Sequence, residues 1–101
     1  MSIQTVNPVN NKVVKSFEEM TDSAIEKAVA KASSTFEIWK KSSYKQRSDL
    51  LHKVATLMRE KKESLAKMIT LEMGKLLVQA EGEILLSADI FDYYADNGEE
   101  F

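Results

Sequence analysis

The sequence contains no cysteine, one histidine, three glycines and one proline in 101 residues. Without cysteine, the chain forms no disulfide, no thiolate metal site and no thiol nucleophile. The single histidine, His52, excludes a site built from two histidines. The glycines Gly74, Gly82 and Gly98 lie too far apart for a phosphate-binding loop. The chain therefore holds no self-contained catalytic site.

Charged residues make up 30% of the chain, with 14 Lys and Arg against 16 Asp and Glu and a net charge of −2. The two signs are interleaved, whereas nucleic-acid-binding domains usually show a basic surplus on one face. No apolar run approaches the roughly 18 residues that a transmembrane helix needs. The segment Met1–Thr5 has neither the positive nor the apolar region of a signal peptide. These patterns predict a cytoplasmic protein that binds neither nucleic acid nor membrane.

The first part of the chain, residues 1–19, has the pattern of a β-hairpin arm. Ile3–Val6 and Val13–Phe17 are rich in residues that favour extended backbone. Between them an Asn-Pro pair favours a turn, and Asn10 and Asn11 tolerate the positive φ of a tight reversal. Two strands alone are only marginally stable in water, so we expect the arm to pair with a sheet elsewhere.

The remainder, residues 20–101, is predicted to form four helices, because apolar residues recur at helical spacing and no proline follows Pro8. Thr21 can cap the first helix, and Ser43 with Gln46 resembles a capping box for the second. Gly74 suits the left-handed conformation that ends a helix. The expected ranges are about 22–39, 44–61, 63–73 and 77–98.

Each helix carries one apolar stripe that we expect to be buried. The stripes are Ile25, Ala28, Val29, Ala32, Phe36 and Trp39; Leu50, Leu51, Val54, Leu57 and Met58; Leu65, Ala66, Met68 or Ile69, and Met73; and Leu77, Ala80, Ile84, Ala88, Phe91 and Ala95. The fourth helix, roughly 33 Å long at 1.5 Å per residue, exceeds what so small a bundle needs. Its stripe is therefore expected to overhang the bundle and to indicate a missing partner surface.

A few further side chains have both an ordinary and a functional interpretation. Glu72, two residues before Gly74, is either a solvated carboxylate or a cation ligand. His52 is expected to be a partly exposed surface residue without a catalytic role. Of Tyr93 and Tyr94, one is expected in the core and the other at an interface. The residues by themselves therefore predict a soluble, mostly helical and incomplete unit.

Five segments come in an order that resembles a known family. They are Thr5-Val6-Asn7-Pro8; the helix with Ala28, Ala32, Phe36 and Trp39; Arg47 followed by Leu50-Leu51; Leu71-Glu72-Met73-Gly74-Lys75; and Tyr93-Tyr94-Ala95. Together they look like the N-terminal part of the aldehyde dehydrogenase superfamily over essentially the whole chain, most like its succinate-semialdehyde dehydrogenase branch. The turn at residues 10–12 departs from the Thr-Gly type that the family usually has.

The resemblance implies both a fold and an activity. The fold is mainly α with an N-terminal β-hairpin arm, as a piece of the α/β, Rossmann-like aldehyde dehydrogenase fold. Residues 20–101 would pack on a dinucleotide-binding domain that the chain lacks. The activity is NAD- or NADP-dependent oxidation of an aldehyde, succinate semialdehyde by branch, to the carboxylate through a cysteine thiohemiacetal. The catalytic parts of such enzymes lie further along, so the chain alone is expected to be inactive.

The resemblance carries over few site residues and none that is catalytic or cofactor-binding. In several family members a structural K⁺ or Na⁺ is bound by the main-chain carbonyl at the position of Thr5 and by the acidic residue at that of Glu72. A carbonyl and a carboxylate suit such a hard cation. In related enzymes the fourth helix flanks the substrate tunnel, which implies that Gly82 and Leu86 lie on its wall. Family members are usually homodimers or homotetramers.

Two hypotheses follow. In the first, the chain is the N-terminal part of an aldehyde dehydrogenase, and its partners are the aldehyde and the rest of its own polypeptide. In the second, it is a free-standing helical interaction module derived from that family, without catalysis. A part of an enzyme should expose the apolar side of residues 76–91, whereas a free-standing module should melt cooperatively and bind no hydrophobic dye.

Overall fold

The structure is a computed structural model that describes residues 3–101, so the first two residues of the predicted arm lie outside it. The elements are strands β1 (Ile3–Val6) and β2 (Val13–Phe17) and helices α1 (Asp22–Trp39), α2 (Tyr44–Glu60), α3 (Lys62–Met73) and α4 (Leu77–Asn97). This order confirms the predicted fold class, a mainly helical unit with an N-terminal hairpin. Each helix boundary lies within one residue of its expected position.

The hairpin is antiparallel and contains one irregularity. Thr5 pairs with Lys15 while Val6 pairs with Val13, so one strand carries an extra residue as in a β-bulge. The connection closes through the Asn7 backbone N–H, which donates to the Lys12 carbonyl at 2.9 Å. Asn11 adopts φ of 56°, as its place in the turn predicted. Most of the strand residues are exposed, and a further sheet for this arm stays a prediction.

Local side-chain chemistry sets the helix ends where the sequence predicted it. The Thr21 hydroxyl accepts the Ala24 N–H at 3.2 Å and caps α1. Ser43 and Gln46 form the reciprocal capping box of α2. Gly74 ends α3 with φ of 72°, in the left-handed region where a side chain costs energy. These contacts involve residues close in sequence, which is why they could be predicted.

The core lies along α4, which packs extensively against both α2 and α3. Among the described residues, the buried apolar ones are Ala55, Ala66, Ala80, Ile84, Ala88 and Ala95. Four of these belong to the predicted stripe of α4. The expectation that this stripe overhangs the bundle is therefore wrong for these four residues, because α2 and α3 cover them, while Leu77 at its start is exposed. Five of the six are alanines, whose small side chains allow helices to approach closely.

The predicted burial of the other stripes is largely wrong. No residue of α1 is buried, and the Phe36 and Trp39 side chains remain 57% and 45% exposed. On α2 the exposed side chains include Leu50, Val54 and Leu57, while the buried one is Ala55. Met68 and Met73 of α3 are likewise exposed. Leu51, Met58, Leu65 and Ile69 of the same stripes are half-buried, so the prediction holds in part for α2 and α3 and fails for α1.

Tyr93 and Tyr94 are both 53% exposed, so the prediction that one of them lies in the core is wrong. Successive residues of a helix are rotated by about 100°, and this chain buries the next position, Ala95, instead. The two rings meet edge to face at 5.3 Å between centroids, and both lie near the Phe101 ring. Across residues 3–101, no helix has both the length and the apolar character needed to cross a membrane.

Candidate functional site

The predicted cation ligands lie on two elements that meet at Gly74. A β-carbon added to Gly74 would lie 3.1 Å from Pro8 Cγ, so the hairpin connection packs directly against the end of α3. Thr5 precedes Pro8 by three residues and Glu72 precedes Gly74 by two. The close contact requires the absence of a side chain at position 74 as well as its positive φ. Gly74 thus both ends α3 and contacts the hairpin connection.

The polar groups on these two elements are partly withdrawn from solvent. Thr5 is half-buried, and its Oγ1 lies out of solvent without a hydrogen-bond partner in the described part of the chain, as does Oγ1 of Thr70. Glu72 is also half-buried. Carbonyl and carboxylate oxygens are the ligands that hard monovalent and divalent cations take. No group of three or more His, Cys, Asp and Glu residues within 3–101 is arranged to hold a metal ion, so a complete site would need oxygen ligands from elsewhere.

The two predicted tunnel residues lie on the side of α4 that faces away from α2 and α3. Leu86 is 61% exposed, and nothing lies within 4 Å of the position that a β-carbon of Gly82 would take. We term this side the outer face of α4; it consists of Val78, Gly82, Leu86, Ile90 and Tyr93, which are exposed and recur at spacings of three and four residues. The apolar face of α1 is exposed as well. The chain thus presents two unpartnered apolar helix faces.

Arg47 joins α1 to α2. Its guanidinium donates to the carbonyls of Lys40 at 3.1 Å and Ser42 at 3.2 Å, and its Nε donates to the Ser42 hydroxyl at 2.9 Å. The same group lies over the rings of Trp39 and Tyr44, with 5.9 and 5.7 Å to their centroids. A fork of donors beside the last carbonyls of a helix neutralises its negative end. Arg47 is therefore occupied by structure and is not available to a ligand.

A second polar cluster links α2 to α4. His52 Nδ1 lies 2.7 Å from Asp92 Oδ1, and its Nε2 lies 3.0 Å from Asp96 Oδ1. Two turns further along α2, Arg59 contacts Asp89 and Asp92, each at 2.7 Å. We call these five side chains the α2–α4 cluster. It lies beside the alanine core, and the Ser48 hydroxyl, which donates to the Ala95 carbonyl, extends it toward the end of α4.

The cluster favours the charged forms of His52, Arg59 and Asp92. The hydrogen bond to Asp92, followed by the nearby charge of Asp96, raises the pKa of His52 above its ordinary value of 6.5. The hydrogen bonds from His52 and Arg59 lower the pKa of Asp92 below 3.8. Hydrogen bonds to the charged form of a group and opposite charges nearby both act in this direction. The side chains are partly exposed, so solvent weakens these effects.

The prediction that His52 is a partly exposed surface residue is confirmed, with 43% of the side chain exposed. Its partners on α4 were not predicted from the sequence. Asp89, Asp92 and Asp96 recur at spacings of three and four along α4, and His52 and Arg59 are seven apart on α2. Such matched rows of opposite charge predict contact between two helices, and that signal was present in the sequence.

Comparison with known proteins identifies the family. The sequence model described as the aldehyde dehydrogenase family matches residues 1–101. A succinate-semialdehyde dehydrogenase [NADP(+)] of Deinococcus radiodurans is 37% identical over 97 residues, which are 96% of this chain and 20% of that protein. The succinate-semialdehyde dehydrogenase [NADP(+)] 1 of Mycobacterium tuberculosis is 38% identical over 99 residues, 98% of this chain and 22% of its own length.

The solved structures agree with the sequence comparison. The succinic semialdehyde dehydrogenase of Streptococcus pyogenes, determined in complex with NADP+, superposes with a TM-score of 0.90 at 38% identity. The match covers 96% of this chain and 22% of that one. The chain therefore spans about a fifth of the length of the relatives it matches. With a family match over its whole length and the same fold in a relative, this chain belongs to the aldehyde dehydrogenase family.

Proposed function

We propose that this chain is the N-terminal part of an NAD(P)-dependent aldehyde dehydrogenase that oxidises succinate semialdehyde to the carboxylate. The observation that carries the proposal is the match to succinate-semialdehyde dehydrogenases [NADP(+)] along nearly the whole chain. The names of these relatives favour NADP over NAD and succinate semialdehyde over other aldehydes. A cytoplasmic location and a homodimeric or homotetrameric parent stay predictions.

The chemistry would be carried by the rest of the polypeptide. The chain has no cysteine to serve as the nucleophile, and its three glycines form no dinucleotide loop. Its residues therefore do not fit a nicotinamide cofactor, and we assign none of them to the cofactor site. What the chain offers is apolar surface: α1 buries no residue, and the outer face of α4 is exposed. These faces would pack on the dinucleotide-binding domain and beside the substrate path.

Gly82 and Leu86 are the residues that we propose for the wall of the substrate tunnel. Both lie on the outer face of α4, directed away from the core of the chain. At position 82 the lack of a side chain leaves space, and Leu86 offers an apolar surface to the carbon chain of an aldehyde. Neither residue carries a group that can move a proton, so their role would be restricted to shape and exclusion of water.

A chimera tests the proposal. Residues 1–101 would replace the matching segment of the Streptococcus pyogenes enzyme, and NADP+ reduction would be followed with succinate semialdehyde. We expect activity, because the exposed faces of α1 and α4 would meet the surfaces they fit. Leu86→Trp should raise KM for succinate semialdehyde more than for NADP+. A folded chimera without aldehyde oxidation would contradict the proposal.

Matched variants on α1 make the result specific. Phe36 lies on the exposed apolar face and Lys27 on the opposite side of the same helix. Phe36→Glu should abolish most activity by placing a charge in the buried interface, whereas Lys27→Glu should retain it. Equal activity of the two variants would show that α1 does not dock through its apolar face.

The free-standing module is the second candidate. It is tested by the isolated chain, whose exposed apolar faces should bind a hydrophobic dye and promote association if they belong against another domain. A cooperative melt of a monomer that binds no dye would support the module and would argue against the enzyme part. The amount of exposed apolar surface on α1 and α4 favours the first outcome.

We also propose that the Thr5 carbonyl and the Glu72 carboxylate bind a structural K⁺ or Na⁺ in the whole enzyme. The support is their location on the two elements that Pro8 and Gly74 bring together, and the solvent-excluded Oγ1 atoms of Thr5 and Thr70 on those same elements. Glu72→Gln in the chimera should reduce the dependence of the melting temperature on K⁺ or Na⁺, while KM for the aldehyde stays nearly unchanged. Glu63→Gln, at the other end of α3, is the control. Unchanged ion dependence would exclude the site.

A further inference from the structure

The only histidine of the chain, His52 on α2, lies between two carboxylates of α4. Each ring nitrogen of His52 has its own partner: Nδ1 lies 2.7 Å from Asp92, and Nε2 lies 3.0 Å from Asp96. The two aspartates are four residues apart and therefore share one face of α4. The ring thus bridges α2 to two successive turns of α4.

The protonation state of the ring decides whether both contacts can form. An ionised carboxylate only accepts hydrogen bonds, and a neutral imidazole donates from one nitrogen only. With a neutral ring, the lone pair of one nitrogen would face a carboxylate oxygen. With two protons, both nitrogens donate, and each donates to an acceptor at hydrogen-bond distance. The observed geometry therefore fits the imidazolium form.

The surrounding charges act in the same direction. From α4, the ring is faced by Asp92 and Asp96, and Asp89 lies further along the same row. From α2, Arg59 shares Asp92 with the ring, and Asp49 and Lys53 flank His52 on its own helix. In the α2–α4 cluster, three carboxylates thus meet one permanent cation, Arg59. A second proton on His52 reduces that excess of negative charge.

We propose that His52 is a pH-sensitive clasp between α2 and α4. It binds both Asp92 and Asp96 when its ring carries two protons, and it releases one of the two aspartates when the ring carries a single proton. The clasp acts on the helix pair that forms most of the core. It fixes α4, and with it the outer face of α4, more firmly at mildly acidic pH than at alkaline pH. The proposal does not depend on the activity of the whole enzyme.

The pH range follows from the directions of the pKa shifts. Because the pKa of His52 is raised in the folded chain, the stability that the clasp adds is complete below 6.5 and is lost as the pH rises through the higher, folded value. Because the pKa of Asp92 is lowered, its share is present above 3.8 and is lost as the pH falls through the lower, folded value. The clasp is therefore strongest between those limits.

A proton NMR titration of the 101-residue chain tests the clasp, since one histidine gives one Cε1–H resonance. We expect a higher pKa for His52 in native buffer than in concentrated urea. The double variant Asp92→Asn, Asp96→Asn should lower the native value toward that in urea. Asp89→Asn removes the same charge from α4 but contacts Arg59 instead of the ring, so it should shift the pKa less.

A stability measurement supplies the second test. The urea midpoint of the unaltered chain should fall between about pH 5.5 and about pH 8.5, the range in which histidine changes charge, and the fall should be smaller in His52→Gln. If the pKa of His52 is the same in native buffer and in urea, the proposal is overturned. That result would mean either that the aspartates do not stabilise the protonated ring or that α2 and α4 do not pack together. An equal fall of the midpoint in His52→Gln would also overturn it.

Discussion

Helices α1 and α4 are similar in length and both amphipathic, yet they differ in what they bury. α4, with 21 residues, contributes four of the buried apolar side chains, and α1, with 18 residues, contributes none. The apolar face of α4 lies between two helices, α2 and α3. That of α1 has no comparable partner in residues 3–101, and its C-terminal end is held by Arg47.

The difference shows that an apolar stripe predicts a buried face but not the surface that buries it. Three of the four buried residues of the α4 stripe are alanines, which pack on the small buried residues of α2 and α3, whereas the stripe of α1 carries Phe36 and Trp39. Most of the stability of a helix in a protein comes from packing its apolar face. The proposed enzyme accounts for the contrast, because α1 would bury its larger side chains against another domain.

The largest expected effect comes from enlarging alanines in the two helices. Ala88 of α4 is fully buried, so Ala88→Leu should lower the free energy of unfolding by about 1–3 kcal/mol through overpacking. Ala32 of α1 is exposed, and Ala32→Leu should change it by less than about 0.5 kcal/mol. Urea denaturation followed by circular dichroism measures both.

An equal loss of unfolding free energy in Ala88→Leu and Ala32→Leu would contradict the contrast between a buried α4 face and an exposed α1 face. It would mean that α1 buries its face in solution, for instance against a second copy of the chain. Sedimentation equilibrium on the same samples would then show a dimer. A monomer with a large penalty at Ala32 alone would reverse the assignment of the core.

The elements that could be predicted are those set by neighbouring residues. Thr21, Ser43 and Gly74 act on the backbone within four residues of themselves, so the helix ends were correct. The inner face of α2 was not, because Leu50 and Ala55 are equally compatible with a helix. The choice between them depends on the alanine face of α4, which lies 25 to 45 residues away in sequence and is known only from the fold.

The candidate sites show the same division. Thr5, Glu72, Gly82 and Leu86 were assigned by family resemblance, and the structure adds the contact of Pro8 with Gly74. The α2–α4 cluster was missed because each residue was judged by itself. Considered as two rows of charge, its members could have been paired before the structure was known. What no pattern could supply is the geometry that gives each nitrogen of His52 its own carboxylate.

Two glycines test whether the hairpin belongs to the α3–α4 unit. Gly74→Ala should cost about 1–2 kcal/mol, because an L-residue is disfavoured at φ of 72° and its methyl group would press on Pro8. Gly82 lies inside a helix with open space around it, so Gly82→Ala should add about 0.5–1 kcal/mol. The opposite signs are measured by thermal or urea unfolding. A neutral Gly74→Ala would show that the left-handed turn and its contact with Pro8 do not form.

The helix caps give the smallest effect and the most direct test of the comparison. Thr21 and Ser43 accept backbone N–H groups at 3.2 and 3.1 Å, so alanine at either position should cost its own helix about 1 kcal/mol. In the isolated chain only Ser43→Ala should also destabilise α4, because α2 packs on α4 and α1 does not. Hydrogen exchange followed by mass spectrometry should therefore show faster exchange of α4 in Ser43→Ala, and faster exchange of α1 alone in Thr21→Ala. If Thr21→Ala accelerates α4 equally, the two regions are one cooperative unit. In the chimera that coupling is the expected result, since docking of α1 would join its stability to that of the whole enzyme.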